Sequence, residues 1–109
     1  MKPINLKDTN NNNRKGDFAE YYAVTWLWDN GYEVFQNSGC TGPVDIIAMD
    51  KKGKLLLIDV KTAQPDHRDN TGNRTMYKKP RTKLQKKLGV KFLLFNPDTR
   101  ELRFAEHKK

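Results

Sequence analysis

The segment Leu55-Leu56-Leu57-Ile58-Asp59-Val60-Lys61 constrains this chain more than any other. Side chains alternate along a strand, so four aliphatics in a row are apolar on both faces, as in a central strand covered on both sides. The same alternation puts Asp59 and Lys61 on one face and Val60 on the other. An acid and a base are thus set side by side next to the core, where an isolated carboxylate is costly to desolvate. A D-x-K tripeptide alone is more often an exposed strand end; its position after four aliphatics changes the odds.

Two further runs rich in β-branched, aromatic and aliphatic residues, Tyr32 to Gln36 and Val44 to Met49, precede it, separated by Gly-containing breaks, and the three read as strands 32–36, 44–49 and 55–60. The break Lys51-Lys52-Gly53 is short enough for a hairpin, which makes the second and third strands antiparallel neighbours. Asp45 then opens the second strand and approaches Asp59 across the hairpin. Two carboxylates that close need a cation to stay ionised together. With only oxygen ligands nearby, the site selects Mg²⁺, for which Mn²⁺ can substitute, over zinc. Such an ion binds a phosphate oxygen, activates a water and neutralises developing charge, while Lys61 can orient or deprotonate the water or face the phosphate as a point charge. Phosphodiester hydrolysis is the chemistry that suits this set.

From Asp17, Phe18, Tyr21, Tyr22, Thr25, Trp26 and Leu27 recur at helical spacing and Gly31 supplies a stop, which predicts a helix over 17–29. Asp17 with Glu20 fits a capping box, which accounts for Glu20 without any chemistry. Trp26 and Trp28 on that helix read as core or subunit-interface packing rather than base stacking. Residues 62–76 form a long polar loop without periodicity, expected to meet the substrate. Thr82-x-x-Gln85 caps a short second helix with Leu84 and Leu88 one turn apart, closing at Gly89. Lys91 to Phe95 and Glu101 to Ala105 read as two strands joined by the turn Asn96-Pro97-Asp98-Thr99. The order α-β-β-β-α-β-β is met by an α/β fold, a mixed sheet of about five strands flanked by helices.

The chain has 109 residues, room for one compact domain, expected over 16–109, and 1–15, with the run Asn10 to Asn13 before Arg14 and Lys15, reads as a flexible arm. Lysine plus arginine outnumber aspartate plus glutamate 21 to 13, a formal charge of +8 that favours a polyanion. Nucleic acid leads over an anionic membrane, because no segment approaches the ~20 apolar residues of a span and the basic stretches lack a wide apolar face. The start of the chain lacks an apolar signal core, so a cytoplasmic location is expected. Cys40, the single cysteine, reads as a bystander, and His67, alone in a polar loop, as solvated. Arg74, Lys78, Lys79, Arg81, Lys83, Lys86 and Lys87 are dense near the expected site and, with Arg14 and Lys15, are candidates for phosphate contact.

Gly16-x-x-x-Glu20, then Pro43-Val44-Asp45, then Asp59-Val60-Lys61 together resemble the PD-(D/E)xK nuclease superfamily. The flanking text, Lys15-Gly16, Gly31-Tyr32, Asp45-Ile46-Ile47-Ala48 and Asp59-Val60-Lys61-Thr62, is most similar to archaeal Holliday junction resolvases and related small endonucleases, including one type of intron homing endonuclease. The likeness covers about residues 15 to 62 well and the following helix and strands more loosely. It implies a restriction-endonuclease-like core and a metal site of Asp45, Asp59 and the Val60 carbonyl, with Glu20 binding directly or through water. It further implies that Lys61 serves the attacking water and that Ser38, in a Ser-Gly pair before the second strand, is a lesser site. The expectation is a Mg²⁺-dependent endonuclease acting on branched DNA as a homodimer, since cutting two strands suits two-fold symmetry. Its rivals are a sequence-specific homing or restriction-type enzyme and a catalytically silent DNA-binding module.

Overall fold

A computed structural model describes residues 12–39, 41–65 and 72–106, with the side chains of 12–15 left aside. Cys40, His67 and residues 1–11 of the expected arm lie outside the described residues.

The first helix, α1 (Asn12–Asp29), begins five residues before the start read from sequence. Asp17 is therefore inside the helix and not at its N-cap, and the capping explanation of Glu20 falls away. The face that α1 buries also differs from the expected aromatic stripe. Ala19, Ala23 and Leu27, one turn apart, are buried, whereas Tyr21 is 69% and Trp28 73% exposed. Small side chains let the helix lie close on the sheet, and the larger rings flank that contact. Trp26 packs on the core and against Phe104, at 6.0 Å between ring centroids.

Strands β1 (Glu33–Gln36), β2 (Ile46–Met49), β3 (Leu55–Thr62), β6 (Lys91–Phe95) and β7 (Leu102–Phe104) form one five-stranded sheet in that order. Only β3 and β6 run parallel; the other pairs are antiparallel, so the sheet is mixed as expected. The β2–β3 turn closes on Asp50, whose carboxylate accepts from the amides of Lys52 and Lys54, while Gly53 takes the left-handed conformation (φ 85°). At the two ends of the expected loop 62–76, β3 runs on to Thr62 and β4 (Gln64–Pro65) pairs with β5 (Arg74–Met76) as a small antiparallel hairpin, while residues 66–71 lie outside the described residues. That hairpin is clipped to the last two strands by Arg74, which reaches Asp98 and the Ala63 carbonyl, and by Arg103, which donates to the Thr75 carbonyl.

The short helix α2 (Lys83–Leu88) has the expected capping box between Thr82 and Gln85 and ends on Gly89 in the left-handed conformation. α1 covers one face of the sheet, closing a core of Ala23, Leu27, Ile46, Ala48, Ile58 and Leu93. The opposite face is closed only in part, around Ala63, Phe92, Leu94 and Tyr77. Among the described residues no helix is long and apolar enough to cross a membrane.

Candidate active site

The site lies where β3 outruns β2. Ile46, the first residue of β2, pairs with Ile58, so residues 59–62 have no β2 partner and are held from the other side by β6. The Val60 amide, left without a strand carbonyl on that side, donates to Asp45 Oδ2 at 2.9 Å. A carboxylate thus takes the place of the missing strand, as a buried amide requires. Asp45 is fixed in turn by its own amide on the Ile58 carbonyl and by its carbonyl on the Asn37 amide, both at 2.9 Å.

Asp59 is 7% exposed, and its Oδ2 receives two donors: Lys61 Nζ at 3.3 Å and Gln85 Nε2 at 2.7 Å. The parity read from sequence holds, for Asp59 and Lys61 share the face opposite α1 while Val60 packs into the α1 core. Lys61 also faces the rings of Tyr77 (5.4 Å) and Phe92 (5.8 Å), an environment that suits a cation. Burial, followed by a hydrogen bond shared with Asp59, pushes the Asp45 carboxyl up to about 7. The Val60 amide opposes this, and the negative charges of Asp59 and Glu20 add to it. Asp45 therefore holds its proton toward neutral pH, as a buried carboxyl with a second acid beside it does.

Glu20 reaches the same end of the sheet from α1, where its Oε1 accepts from Gln36 Nε2 at 3.5 Å. Asp59 comes from the far face, and Asp45 lies between them and feels both charges. Among the described residues, no three His, Cys, Asp or Glu side chains converge into one metal-binding group. The donor set nevertheless fits a hard divalent ion: two carboxylates in contact, oxygen donors only, with a third carboxylate at longer range.

Ser38 stands exposed in the loop before β2, and its neighbour Asn37 organises that loop. The Asn37 side-chain amide donates to the carbonyls of Thr41 (2.6 Å) and Val44 (2.9 Å) and its oxygen accepts from Gly39. Asn37, Gln36 and Gln85 were not singled out by sequence as parts of the site. Their signal is weak because each works through hydrogen bonds that no periodic pattern announces, local ones for Asn37 and long-range ones for Gln36 and Gln85; for Gln85, the capping motif already accounted for its presence.

The cations divide by position. Lys61 and Lys79 line a cleft of about 430 Å³ together with Asp59, Pro43 and Tyr77. Through Tyr77, Lys79 and Phe92 it continues into a groove of about 830 Å³ that adds Lys78, Arg81, Lys86 and Arg103, with Glu106 the acid on its wall. Arg81 is anchored through the Val90 carbonyl at 3.0 Å, and Arg74 is committed to Asp98. Lys83 and Lys87 are exposed on α2. Arg14 and Lys15 fall on the first turns of α1, and their side chains lie outside the described ones.

No family model matches the sequence, and no curated protein matches it. The fold is of the restriction-endonuclease-like class, with a mixed five-stranded sheet flanked by helices. One solved structure with this likeness is that of a bacterial homing endonuclease, I-Ssp6803I. The two share a TM-score of 0.59 at 19% sequence identity, over 87% of this chain and 64% of that one. This chain therefore spans less than two thirds of the homing endonuclease's length.

Proposed function

We propose that the protein is a metal-dependent endonuclease that hydrolyses DNA phosphodiester bonds. The observation that supports this best is the Asp45–Asp59 carboxylate pair, with Lys61 on one member, at the head of a cation-lined groove. Asp45 and Asp59 would hold Mg²⁺, or Mn²⁺ in its place, with the Val60 carbonyl and, through water, Glu20. A divalent ion there would supply charge neutralisation at a phosphate oxygen and activation of a water. Lys61, held between Asp59 and two rings, is placed to orient that water or to face the phosphate. Lys78, Lys79, Arg81 and Lys86 would seat the DNA backbone along the groove, and contacts of this kind position a substrate without reading its sequence.

Branched DNA is the leading substrate, because the cations along the groove are suited to phosphate contacts, which follow the course of the backbone and do not read its sequence. Action as a homodimer belongs to the same reading, since resolving a junction requires two cuts related by symmetry. A homing-type enzyme is the second reading, favoured by the likeness to I-Ssp6803I. Cleavage of a four-way junction, compared with linear duplexes of varied sequence with and without Mg²⁺, separates the two. The first reading expects Mg²⁺-dependent cutting of the junction above every duplex. Cutting of one duplex sequence alone would instead assign the homing-type activity, and binding without cutting of any DNA would leave only a binding module.

A further inference from the structure

Lys61, a flexible and partly exposed side chain, orients the Asp59 carboxylate poorly by itself. Gln85 is the rigid donor. It is 5% exposed, and its side-chain amide is fully committed. Nε2 donates to Asp59 Oδ2 at 2.7 Å and to the Pro43 carbonyl at 3.0 Å, and Oε1 accepts from the Thr82 amide at 3.0 Å. One amide therefore joins the acid of β3, the loop two residues ahead of Asp45 and the start of α2.

We propose that Gln85 is a positioning residue, which holds Asp59 in its metal-binding orientation and fixes it to the seating of α2. The proposal rests on the metal-dependent reading above. A helix cap at this position is served equally by Gln or Glu, because only the side-chain oxygen does the capping. The two donors on Nε2 decide between them: a Glu carboxylate here would face both Asp59 and the Pro43 carbonyl with acceptors only. A neutral donor also orients Asp59 without cancelling the negative charge that draws a cation, which a second ammonium beside Lys61 would do.

The test is Mn²⁺ binding by titration calorimetry on the full chain, with junction cleavage and metal-free DNA binding beside it. Gln85→Met keeps length and packing but removes the donors; Gln85→Glu keeps the cap acceptor and repeats the test if the Met variant does not fold. Both should weaken Mn²⁺ binding about 10- to 100-fold, the usual cost of losing a residue that orients a metal ligand, with metal-free DNA binding unchanged. Thr82→Ala removes the cap and leaves the amide on Asp59, so it should lower Tm while Mn²⁺ affinity holds. Wild-type Mn²⁺ affinity in both Gln85 variants, or an equal loss in Thr82→Ala, would overturn the positioning role alone. A wild-type chain whose Mn²⁺ binding is absent, or indifferent to Asp59→Ala, would instead sink the metal reading and this inference with it.

Discussion

The two faces of the sheet are made from the same strands and completed in opposite ways. Under α1, Ile46, Ala48, Ile58 and Leu93 meet Ala23 and Leu27 in a core from which water is excluded. On the far face the cross-strand row Phe35, Ile47 and Leu57 is only half covered, and Asp59, Lys61 and Gln85 gather beside it. β3 contributes to both, with Ile58 and Val60 on one side and Asp59 and Lys61 on the other. The closed face holds the strands in register, and the open face has room for a polyanion. Stability and chemistry are thus expected to separate by face, although the residues alternate along one strand.

Leu27→Ala, on the closed face, is the largest expected change in stability, about 2–5 kcal/mol for a fully buried leucine. Denaturant unfolding should show that loss while cleavage per folded molecule is retained. If activity falls with the fold intact, the two faces are coupled.

Asp45→Asn separates the two faces through pH. The folded pKa of Asp45, about 7, stands above its ordinary value of 3.8, so the folded state holds this proton more tightly than the unfolded chain. The stabilisation from that proton is complete below 3.8 and lost as pH rises through about 7. Without divalent metal, the stability of the wild type should therefore fall across this window. Added Mg²⁺ should restore it most at the upper end, with affinity rising as the proton leaves. Asp45→Asn should flatten both trends, measured as Tm against pH with and without Mg²⁺. An unchanged slope in the variant would locate the titration elsewhere.

The smallest expected effect is at the groove. Lys79→Ala should weaken binding of all DNA alike and lower the slope of log affinity against log salt by about 1, because one phosphate contact is lost. A change confined to one sequence would mean that Lys79 reads bases.

How far the sequence disclosed this arrangement depends on the range of the interaction. The pairing of Asp59 with Lys61 and the approach of Asp45 follow from two-residue alternation and one short hairpin, which are local rules, and the structure places all three together. The capping box of α2 and its Gly89 stop are equally local. The start of α1 was hidden because the Asn-rich stretch before Gly16 carries no periodic signal, and Asp17 imitated a cap. The buried stripe of α1 is legible in part, through Leu27 and Trp26; Ala19 and Ala23 are not, because ring size outweighs alanine in any hydrophobic count while close packing favours the alanines. β4 and β5 are too short to show alternation. The second task of Gln85 depends on a residue 26 positions away, and only the fold brings that acceptor to it.

On the proposed function, the far face carries metal-dependent cleavage of DNA with Asp59 at its heart. Asp59→Ala measures this most directly, through cleavage of a four-way junction in Mg²⁺ alongside metal-free binding of the same junction. Cleavage should fall at least about 100-fold, the scale lost when a charge-stabilising group leaves an active site, while binding is kept. Cleavage equal to that of the wild type would contradict the account.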